Sequence, residues 1–304
     1  MNEAVDTYRG YCEPLPSSTA ALRSASVTIA RDLGEFLRSR RARLTPEEAG
    51  FASGSSRRRV PGLRREEAAL LAGISVDYYV QIERGDVRGV SEDVLGAIAR
   101  ALHLDDIELA HLITLSRAVR QTPRRPTLSP SQISPTLQRV LDTITDAAAF
   151  VHNGRADFLG GNRLAYALYA DTGAAPGRPV NLPRFVFLDP KARSFYRRWD
   201  DIALATVGSL RAEAARDPYD GDLTELVDQL SARSDDFLRM WSTHDLTQYW
   251  GGTQYFHHPL VGDLDLDFVN FTVTGDTRQR LIVYTAPAAS PSQAALAQLA
   301  ASPP

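Results

Sequence analysis

The sequence predicts a multidomain protein in which an all-α domain precedes an α+β domain. Three observations carry this prediction: helix-type segments fill residues 31–120, a proline-rich stretch covers 121–135, and strand-type and helix-type patterns mix over 136–290. The length of 304 residues suits two domains of about 150 residues each. We therefore expect the chain to divide at the proline-rich linker, with short tails at 1–30 and 291–304.

The composition excludes several classes of protein. Hydrophobic residues make up 43% of the chain and charged residues 23%, so the chain is not fully disordered. No apolar run approaches the roughly 18 residues of a membrane-spanning helix, and Glu3 and Asp6, with no apolar segment beside them, disfavour a secretory signal. The single cysteine, Cys12, excludes an internal disulfide framework and a cysteine-based zinc site. We expect a cytoplasmic protein without membrane attachment.

The charge is distributed unevenly along the chain. The formal net charge is only −3, but residues 31–65 hold ten arginines against four acidic residues, a net charge of +6. Residues 126–304 hold 15 basic and 20 acidic residues, a net charge of −5. A basic N-terminal end on an acidic body favours a localised contact with a polyanion.

The first domain is expected to begin after a mobile tail of residues 1–30. Leu33, Phe36 and Leu37 repeat at helical spacing. The run 45–48, Thr-Pro-Glu-Glu, has the cap, proline and glutamate that start a short helix. Further helical stretches follow near 64–72, 75–84, 91–102 and 106–120.

The segment 64–85 has the layout of a helix-turn-helix. Gly73 can adopt the left-handed conformation that ends a helix, and Ser75 can cap the next helix two residues later. Tyr79 and Ile82 are spaced to face a common core. In a helix-turn-helix the second helix lies in the major groove of DNA. The alternative is a helical hairpin that packs without nucleic acid.

The second helix of this pair would present side chains to base edges. Gln81 can pair with adenine, Asp77 can accept from cytosine and Val76 can contact a thymine methyl group. Arg64 and Arg65, beside and at the start of the first helix, would contact phosphates. For Tyr78, contact with DNA and packing over the helix stay open. The candidate DNA-binding residues of the pair are Arg64, Arg65, Ser75, Val76, Asp77, Tyr78, Gln81 and Arg84.

Three consecutive arginines precede the helix pair. Arg57, Arg58 and Arg59 lie in a loop rich in glycine and serine. Such a run can be a solvated charged loop, but its place just before the phosphate-facing helix favours contact with phosphates or the minor groove. We include these three residues among the DNA-binding candidates.

The second domain mixes strands and helices. Residues 147–151 and 156–159 predict two strands joined at an Asn153-Gly154 turn, and residues 190–246 are mostly helical in pattern. Residues 263–268 alternate strictly as a half-buried strand does. After Phe268 the apolar phase shifts, which predicts a bulge or burial on both faces, and residues 281–284 predict a last strand. Strands around a helical middle indicate an α+β domain.

Motifs along the whole chain are similar to those of known regulators. The Leu-Ala-Gly-Ile-Ser turn at 71–75 and the Gln-Ile-Glu-Arg-Gly ending at 81–85 resemble the Xre or phage-repressor helix-turn-helix. The runs 33–38, 61–67 and 76–79 look like those of MmyB-like regulators, and so do runs in the second domain, namely 187–190 with 192–193, 241–245, 256–262 and 283–286. This resemblance covers about residues 31–290. It implies a bacterial transcriptional regulator that pairs an Xre-type domain with a PAS-like domain for small molecules, fatty acid-like ligands among them.

The sequence departs from the family pattern at two places. A basic turn with His-Pro usually follows the recognition helix, whereas residues 85–90 read Gly-Asp-Val-Arg-Gly-Val, which removes expected phosphate donors. An Ala-Trp-Asn run usually follows the first hairpin, whereas residues 160–162 read Gly-Gly-Asn. Loss of that indole predicts either extra room in a pocket or a collapsed core.

Candidate site residues of the second domain fit binding better than catalysis. The histidines at 244, 257 and 258 lie in no metal-ligand spacing, and the chain has no Gly-rich phosphate loop and no Gly-x-Ser-x-Gly motif. We therefore expect no enzyme, no metal and no cofactor. The aromatic residues can be plain core, and the histidines can be structural. The candidate ligand-binding residues are Phe150, Phe158, Asn162, Phe187, Trp241, His244, Phe256, His258 and Phe268.

These observations lead to one functional expectation. The chain is expected to bind a double-stranded DNA operator through residues 31–120 and a small, mainly apolar ligand through residues 136–290. Because one helix-turn-helix makes few base contacts, we also expect a homodimer that binds two half-sites. The alternative is an adaptor that uses its helix-turn-helix to hold a protein and senses no ligand.

Overall fold

The computed structural model describes residues 18–51, 61–120, 132–243, 251–274 and 278–301, with side chains in the first helix from residue 29 onward. A helical domain comes first, and a domain built on one antiparallel sheet follows. The all-α and α+β classes expected from the sequence are both confirmed.

The helical domain contains five helices among its described residues. They are α1 (Ser18–Arg43), α2 (Arg65–Ala72), α3 (Val76–Glu83), α4 (Glu92–Ala101) and α5 (Asp106–Arg120). The last four lie within one residue of the predicted stretches. The first begins well inside the predicted tail of residues 1–30, so the prediction of a tail is wrong for residues 18–30. The buried core of the helical domain includes Leu33, Phe36, Leu37, Tyr79, Ile82, Leu95 and Leu112.

The prediction of a short helix at residues 45–48 is wrong. Thr45 and Glu48 do make the reciprocal capping bonds, since the Thr45 amide donates to Glu48 Oε2 at 2.9 Å and the Glu48 amide donates to Thr45 Oγ1 at 3.3 Å. However, the segment forms turns rather than a helix, and Gly50 takes a left-handed φ of 82°. A conformation of that kind ends helical hydrogen bonding after a single turn.

Two glycines let α1 pack directly on the end of α3. A Cβ atom on Gly34 would lie 2.4 Å from the Glu83 carbonyl oxygen, and one on Gly85 would lie 2.3 Å from the Ala30 carbonyl oxygen. Gly85 also has a φ of 87°, which side chains other than glycine adopt rarely. The orientation of α3 is therefore fixed by contact between backbones.

Over its described residues, the second domain is a six-stranded antiparallel sheet with helices packed on it. Its strands are β1 (Ala148–His152), β2 (Asp157–Gly161), β3 (Val180–Asn181), β4 (Gly251–His258), β5 (Gly262–Thr272) and β6 (Arg280–Thr285), in the order β3-β2-β1-β6-β5-β4. Its helices are α6 (Pro135–Asp142), α7 (Arg163–Leu168), α8 (Leu182–Leu188), α9 (Ala192–Phe195), α10 (Trp199–Arg216), α11 (Gly221–Arg233), α12 (Asp235–Ser242) and α13 (Pro291–Ala301). The predicted hairpin, helical middle and last strand are all present.

The phase shift after Phe268 does not mark a bulge or two-sided burial. The pairing of β5 with β6 runs unbroken from Asp267 to Thr272, and Val269 and Phe271 are each 50% exposed. The inward face continues through Phe268 to Asn270, so the alternation persists while the apolar residues change face. That part of the expectation is wrong, because apolar side chains lie on the outer face here.

The prediction of a C-terminal tail at residues 291–304 is wrong for residues 291–301. These residues form α13, whose Leu296 and Leu299 are buried in the main core of the second domain. Ser292 Oγ accepts a hydrogen bond of 2.9 Å from the Asp265 amide on β5. The helix is therefore an integral part of the sheet domain.

Candidate nucleic-acid interface and ligand cavity

The connection between α2 and α3 is the sharp turn that the sequence predicts. Gly73 has a φ of 66°, its amide donates to the Leu70 carbonyl at 3.1 Å, and the Ile74 amide donates to the Ala69 carbonyl at 3.1 Å. Ser75 Oγ then accepts a hydrogen bond of 3.2 Å from the Tyr78 amide, which caps α3. This geometry separates α3 from α2 as a short helix of its own.

The outer side of α3 carries the side chains expected to face DNA. Exposed residues of the segment are Ser75, Val76, Asp77, Gln81 and Arg84, whereas Tyr79 and Ile82 are fully buried. Tyr78 is half-buried and packs against the helical core. The exposed side of α3 therefore combines an amide, a carboxylate and an aliphatic group, which together can contact several kinds of base edge.

Arg65 has a structural contact that the sequence did not indicate. Its Nε and Nη2 donate to Glu83 Oε1 at 3.2 and 3.0 Å. Glu83 is buried at the end of α3, and Arg41 of α1 donates to both of its carboxylate oxygens at 3.1 and 3.2 Å. The pairing with Glu83 raises the pKa of Arg65. The side chain of Arg65 is still about half exposed, so it joins α2 to α3 beside the surface expected to meet phosphates.

The remaining basic candidates have different surroundings. Arg64 and Arg84 are exposed. Arg57, Arg58 and Arg59 lie outside the described residues. In the turn after α3, Arg88 Nε donates to Asp86 Oδ1 at 3.0 Å, and this hydrogen bond raises the pKa of Arg88 and lowers that of Asp86. The arginine in the turn after α3 is thus ion-paired with its own neighbour.

A cavity of about 170 Å³ lies in the second domain between the sheet and α8 and α10. Aromatic and aliphatic side chains form most of its wall, including Phe150, Tyr169, Phe268 and Tyr284. Two of the predicted ligand residues, Phe150 and Phe268, therefore line it. Binding sites for small molecules are typically apolar with a few polar groups, which matches this composition.

Polar side chains reach the cavity from four strands. They are His152 on β1, Gln254 on β4, Asn270 on β5 and Arg280 on β6. His152 Nδ1 lies 2.7 Å from the Asn153 carbonyl oxygen, to which it donates, so Nε2 is the acceptor of the ring. Burial lowers the pKa of His152 to about 4. The histidine is therefore neutral at pH 7.

The predicted polar anchors Asn162 and His258 do not line the cavity. Asn162 Oδ1 accepts from the Ala149 and Ala165 amides, and its Nδ2 donates to the Ile144 and Ala147 carbonyls, with all four bonds between 2.7 and 3.1 Å. His258 Nε2 donates to the Ala167 carbonyl at 3.1 Å. Burial lowers the pKa of His258. Both side chains hold the sheet and α7 together.

The other predicted ligand residues are spread over the domain. Phe158 and Phe256 are fully buried in the core, and Phe187 packs edge-to-face on Phe237. Trp241 lines a different cavity, described below, and His244 lies outside the described residues. The residues predicted from the sequence to form one ligand site therefore lie in different parts of the structure.

The glycine that replaces the expected indole leaves no extra room. A Cβ atom on Gly161 would lie 3.0 Å from Phe158 Cζ and 3.1 Å from Ala165 Cβ. Phe158 itself stacks on Phe150, with ring centroids 4.6 Å apart. Of the two outcomes expected for this departure, the structure has the collapsed core.

Helix α10 connects the cavity to the helical domain. Ile202, Thr206 and Ser209 line the cavity on one side of the helix. Ala215, on the other side, is buried in the core of the helical domain. A second cavity, of about 510 Å³, lies on that side between α10, α1 and α5, and Asp32, Arg211 and Trp241 are among its lining residues. One helix therefore belongs to both sites.

Arg211 of α10 is a buried charged group that lines this second cavity. It is 6% exposed, its guanidinium lies 4.4 Å from the centre of the Trp241 ring, and Nη2 donates to the Trp241 carbonyl. Burial lowers the pKa of Arg211 to about 10 and raises that of its electrostatic partner Asp32. Arg211 of the second domain and Asp32 of the helical domain therefore influence each other electrostatically across the domain contact.

Several cavity residues were missed from the sequence, although a signal for them existed. Side chains two residues apart share a strand face, so Phe150 implies His152, and Phe268 implies Asn270. Because the sequence predicted a phase shift after Phe268, Asn270 was not expected to share the face of Phe268. Arg280 precedes the predicted last strand by one residue, which placed it outside the strand.

Among the described residues, no group of three or more histidine, cysteine or acidic side chains is placed to hold a metal ion. None of the described helices is long and apolar enough to cross a membrane.

Two family models match the chain. The model of the MmyB-like transcription regulator ligand binding domain matches residues 133–299, which is more than half of the chain, and a helix-turn-helix domain model matches residues 32–112. Both models describe domains of regulators rather than of enzymes. No curated protein matches the sequence.

Proposed function

Because this chain belongs to the family of MmyB-like transcription regulators, it is a DNA-binding regulator with a ligand-binding domain, and we propose that this domain senses a small, mainly apolar molecule. The cavity between the sheet and α10 is the proposed binding site. Binding there is proposed to change the affinity of the helical domain for its operator.

The observation that carries this proposal is the double role of α10. Ser209 and Thr206 lie at the cavity, while Arg211 and Ala215 lie against the helical domain within about two and a half turns along the same helix. A ligand changes operator affinity only if it binds one arrangement of the domains more tightly than another. Since a helix moves as a rigid element, displacement of its cavity side also displaces its contact with α1 and α5.

The DNA contacts proposed for the helical domain follow from exposure. Gln81 and Asp77 on α3 would contact base edges, and Val76 a thymine methyl group. Arg64, Arg65 and Arg84, together with Arg57, Arg58 and Arg59 of the preceding loop, would contact phosphates. Ser75 and Tyr78 would contact the DNA backbone next to these bases. The positive charge of residues 31–65 supports this placement.

The finer classification is part of the proposal. The turn and capping geometry at Gly73 and Ser75 supports an Xre-type helix-turn-helix. The antiparallel sheet with helices around a small cavity supports a PAS-like sensor. We assign the protein to the cytoplasm, where its DNA target lies, and expect it to bind two half-sites as a homodimer.

A gel-shift titration with the DNA upstream of its own gene separates this function from the adaptor alternative. The regulator is expected to shift that DNA at concentrations at which random DNA of equal length stays free. Compounds that raise the melting temperature of the full chain are then added to the titration. An adaptor would bind neither DNA specifically, and a regulator without a sensor would bind DNA with the same affinity whatever compound is present.

A further inference from the structure

The cavity is small for a ligand-binding site. Its volume is about 170 Å³, whereas sites for drug-sized molecules usually have about 300–1,000 Å³. An apolar protein cavity of about 150 Å³ holds one benzene molecule. The space therefore suits a single ring with a short substituent and does not suit an extended acyl chain.

The walls of the cavity favour a flat, unsaturated ring. The rings of Phe150 and Tyr169 lie with centroids 5.2 Å apart, and those of Phe268 and Tyr284 lie 5.7 Å apart. All four side chains line the cavity. Aromatic groups pack on one another through stacked or edge-to-face contacts at such distances.

Arg280 supplies a positive charge at one end of this apolar space. It lies at the start of β6, directly opposite His152 on β1 and Thr272 on β5. Within the described part of the chain its side chain forms no ion pair or hydrogen bond, and burial lowers its pKa. Its charged neighbour is another cation, Arg216. A half-buried cation without a counterion costs free energy, which a bound anion would offset.

Polar groups around Arg280 fit an acid as well. Asn270 lies on the neighbouring strand, two residue pairs along from Arg280, and makes no side-chain hydrogen bond to the described residues. Gln254 is only 6% exposed, lines the same cavity, and is also without a side-chain partner among the described residues. Buried polar side chains in folded proteins are normally hydrogen-bonded, so the Gln254 amide points to a ligand that carries oxygen atoms, and the half-buried Asn270 amide can contact the same ligand.

We propose that the ligand is a compact aromatic acid of about ten non-hydrogen atoms, whose carboxylate pairs with Arg280 and whose ring lies between the aromatic walls. This inference rests on the proposed sensor function and names the class of its ligand. The Asn270 amide donates to the same carboxylate, and Gln254 binds a polar substituent elsewhere on the ligand.

The experiment is a calorimetric titration of the full chain with phenylacetate, its neutral analogue phenylacetamide, and dodecanoate. Phenylacetate is expected to bind at least about tenfold more tightly than the other two, since a carboxylate forms charge-assisted bonds with arginine. Arg280→Gln is expected to remove the difference between the acid and the amide, and Arg280→Lys to keep part of it. The matched control is Arg178→Gln, which changes an exposed arginine outside the cavity and is expected to leave binding unchanged.

Melting curves of both Arg280 variants confirm that the fold is intact before binding is compared. Equal binding of acid and amide, an acid preference that survives Arg280→Gln, tighter binding of dodecanoate, or no binding of phenylacetate would each overturn the inference. A dodecanoate-dependent change in operator affinity would sink this ligand class and leave the sensor function standing. If phenylacetate binds through Arg280 but operator affinity does not change, the ligand class stands and the sensor function fails.

Discussion

The buried carboxylate of Glu83, at the end of α3, accepts two hydrogen bonds from the guanidinium of Arg65, at the start of α2, at 3.0 and 3.2 Å. Arg41 completes the cluster from α1. Three helices of the DNA-binding domain therefore meet at one carboxylate. The orientation of α3 depends on this cluster as well as on the turn at Gly73 and on the backbone contact with α1.

Removing the charge of Glu83 should destabilise the helical domain. Glu83→Gln leaves Arg41 and Arg65 without their common anion, and the expected loss is about 3 kcal/mol, the low end for a broken buried ion pair because Arg65 is half exposed. Urea unfolding of the full chain measures it. The control Glu66→Gln changes an exposed residue of α2 and should alter stability by less than about 0.5 kcal/mol. Equal stability of the two variants would show that the cluster does not hold α3.

Asp86→Asn should strengthen binding to DNA of any sequence. The change frees Arg88 from its 3.0 Å contact with Asp86 and removes one negative charge from the turn after α3. We expect tighter binding to random DNA and a salt dependence steeper by about one ion. Fluorescence anisotropy at several salt concentrations measures both. Asp200→Asn makes the same charge change at an exposed position in the second domain; if it has the same effect, net charge alone is responsible.

Stability should fall in mild acid because of His152. Its pKa is lowered by burial from 6.5 to about 4, so between these pH values the unfolded chain binds a proton that the folded chain does not. The free energy of unfolding therefore falls as the pH drops from about 6.5 to about 4, by up to about 3 kcal/mol for this group. His152→Gln should reduce the decline, measured by urea unfolding at pH 7 and pH 4.5. The exposed His103, changed to Asn, should leave the decline as it is in the wild type.

The proposed assembly makes a separate prediction. Two half-sites about one helical turn apart require two copies of α3 in a symmetric pair. Light scattering of the full chain on a duplex with two half-sites is expected to give the mass of a dimer with one DNA. A single copy on that duplex, at concentrations that saturate it, would rule out the homodimer.

Local patterns predicted the helical domain and the hairpin well. The glycine at 73 and the serine at 75 determine a turn through backbone conformation and one capping bond, which need no distant partner. The helical spacing of α3 is also a local property, and it correctly predicted that Tyr79 and Ile82 are buried and that Gln81 is exposed.

The cavity could not be predicted in the same way. Asn162 and His258 looked like anchors, but their hydrogen bonds go to backbone groups that are distant in sequence or in another element. Arg280 and His152 come together only through the pairing of β6 with β1, across about 130 residues of chain. The dual role of α10 depends on domain packing, which no local pattern encodes.

The measurement that tests the central claim most directly is the affinity of the full chain and of Gln81→Ala for the operator and for random DNA. Gln81 is exposed on the outer side of α3 and is predicted to read a base. The account predicts that Gln81→Ala loses about 1–3 kcal/mol on the operator while binding random DNA as the wild type does. Equal losses on both DNAs, or no preference of the wild-type chain for the operator, would contradict it.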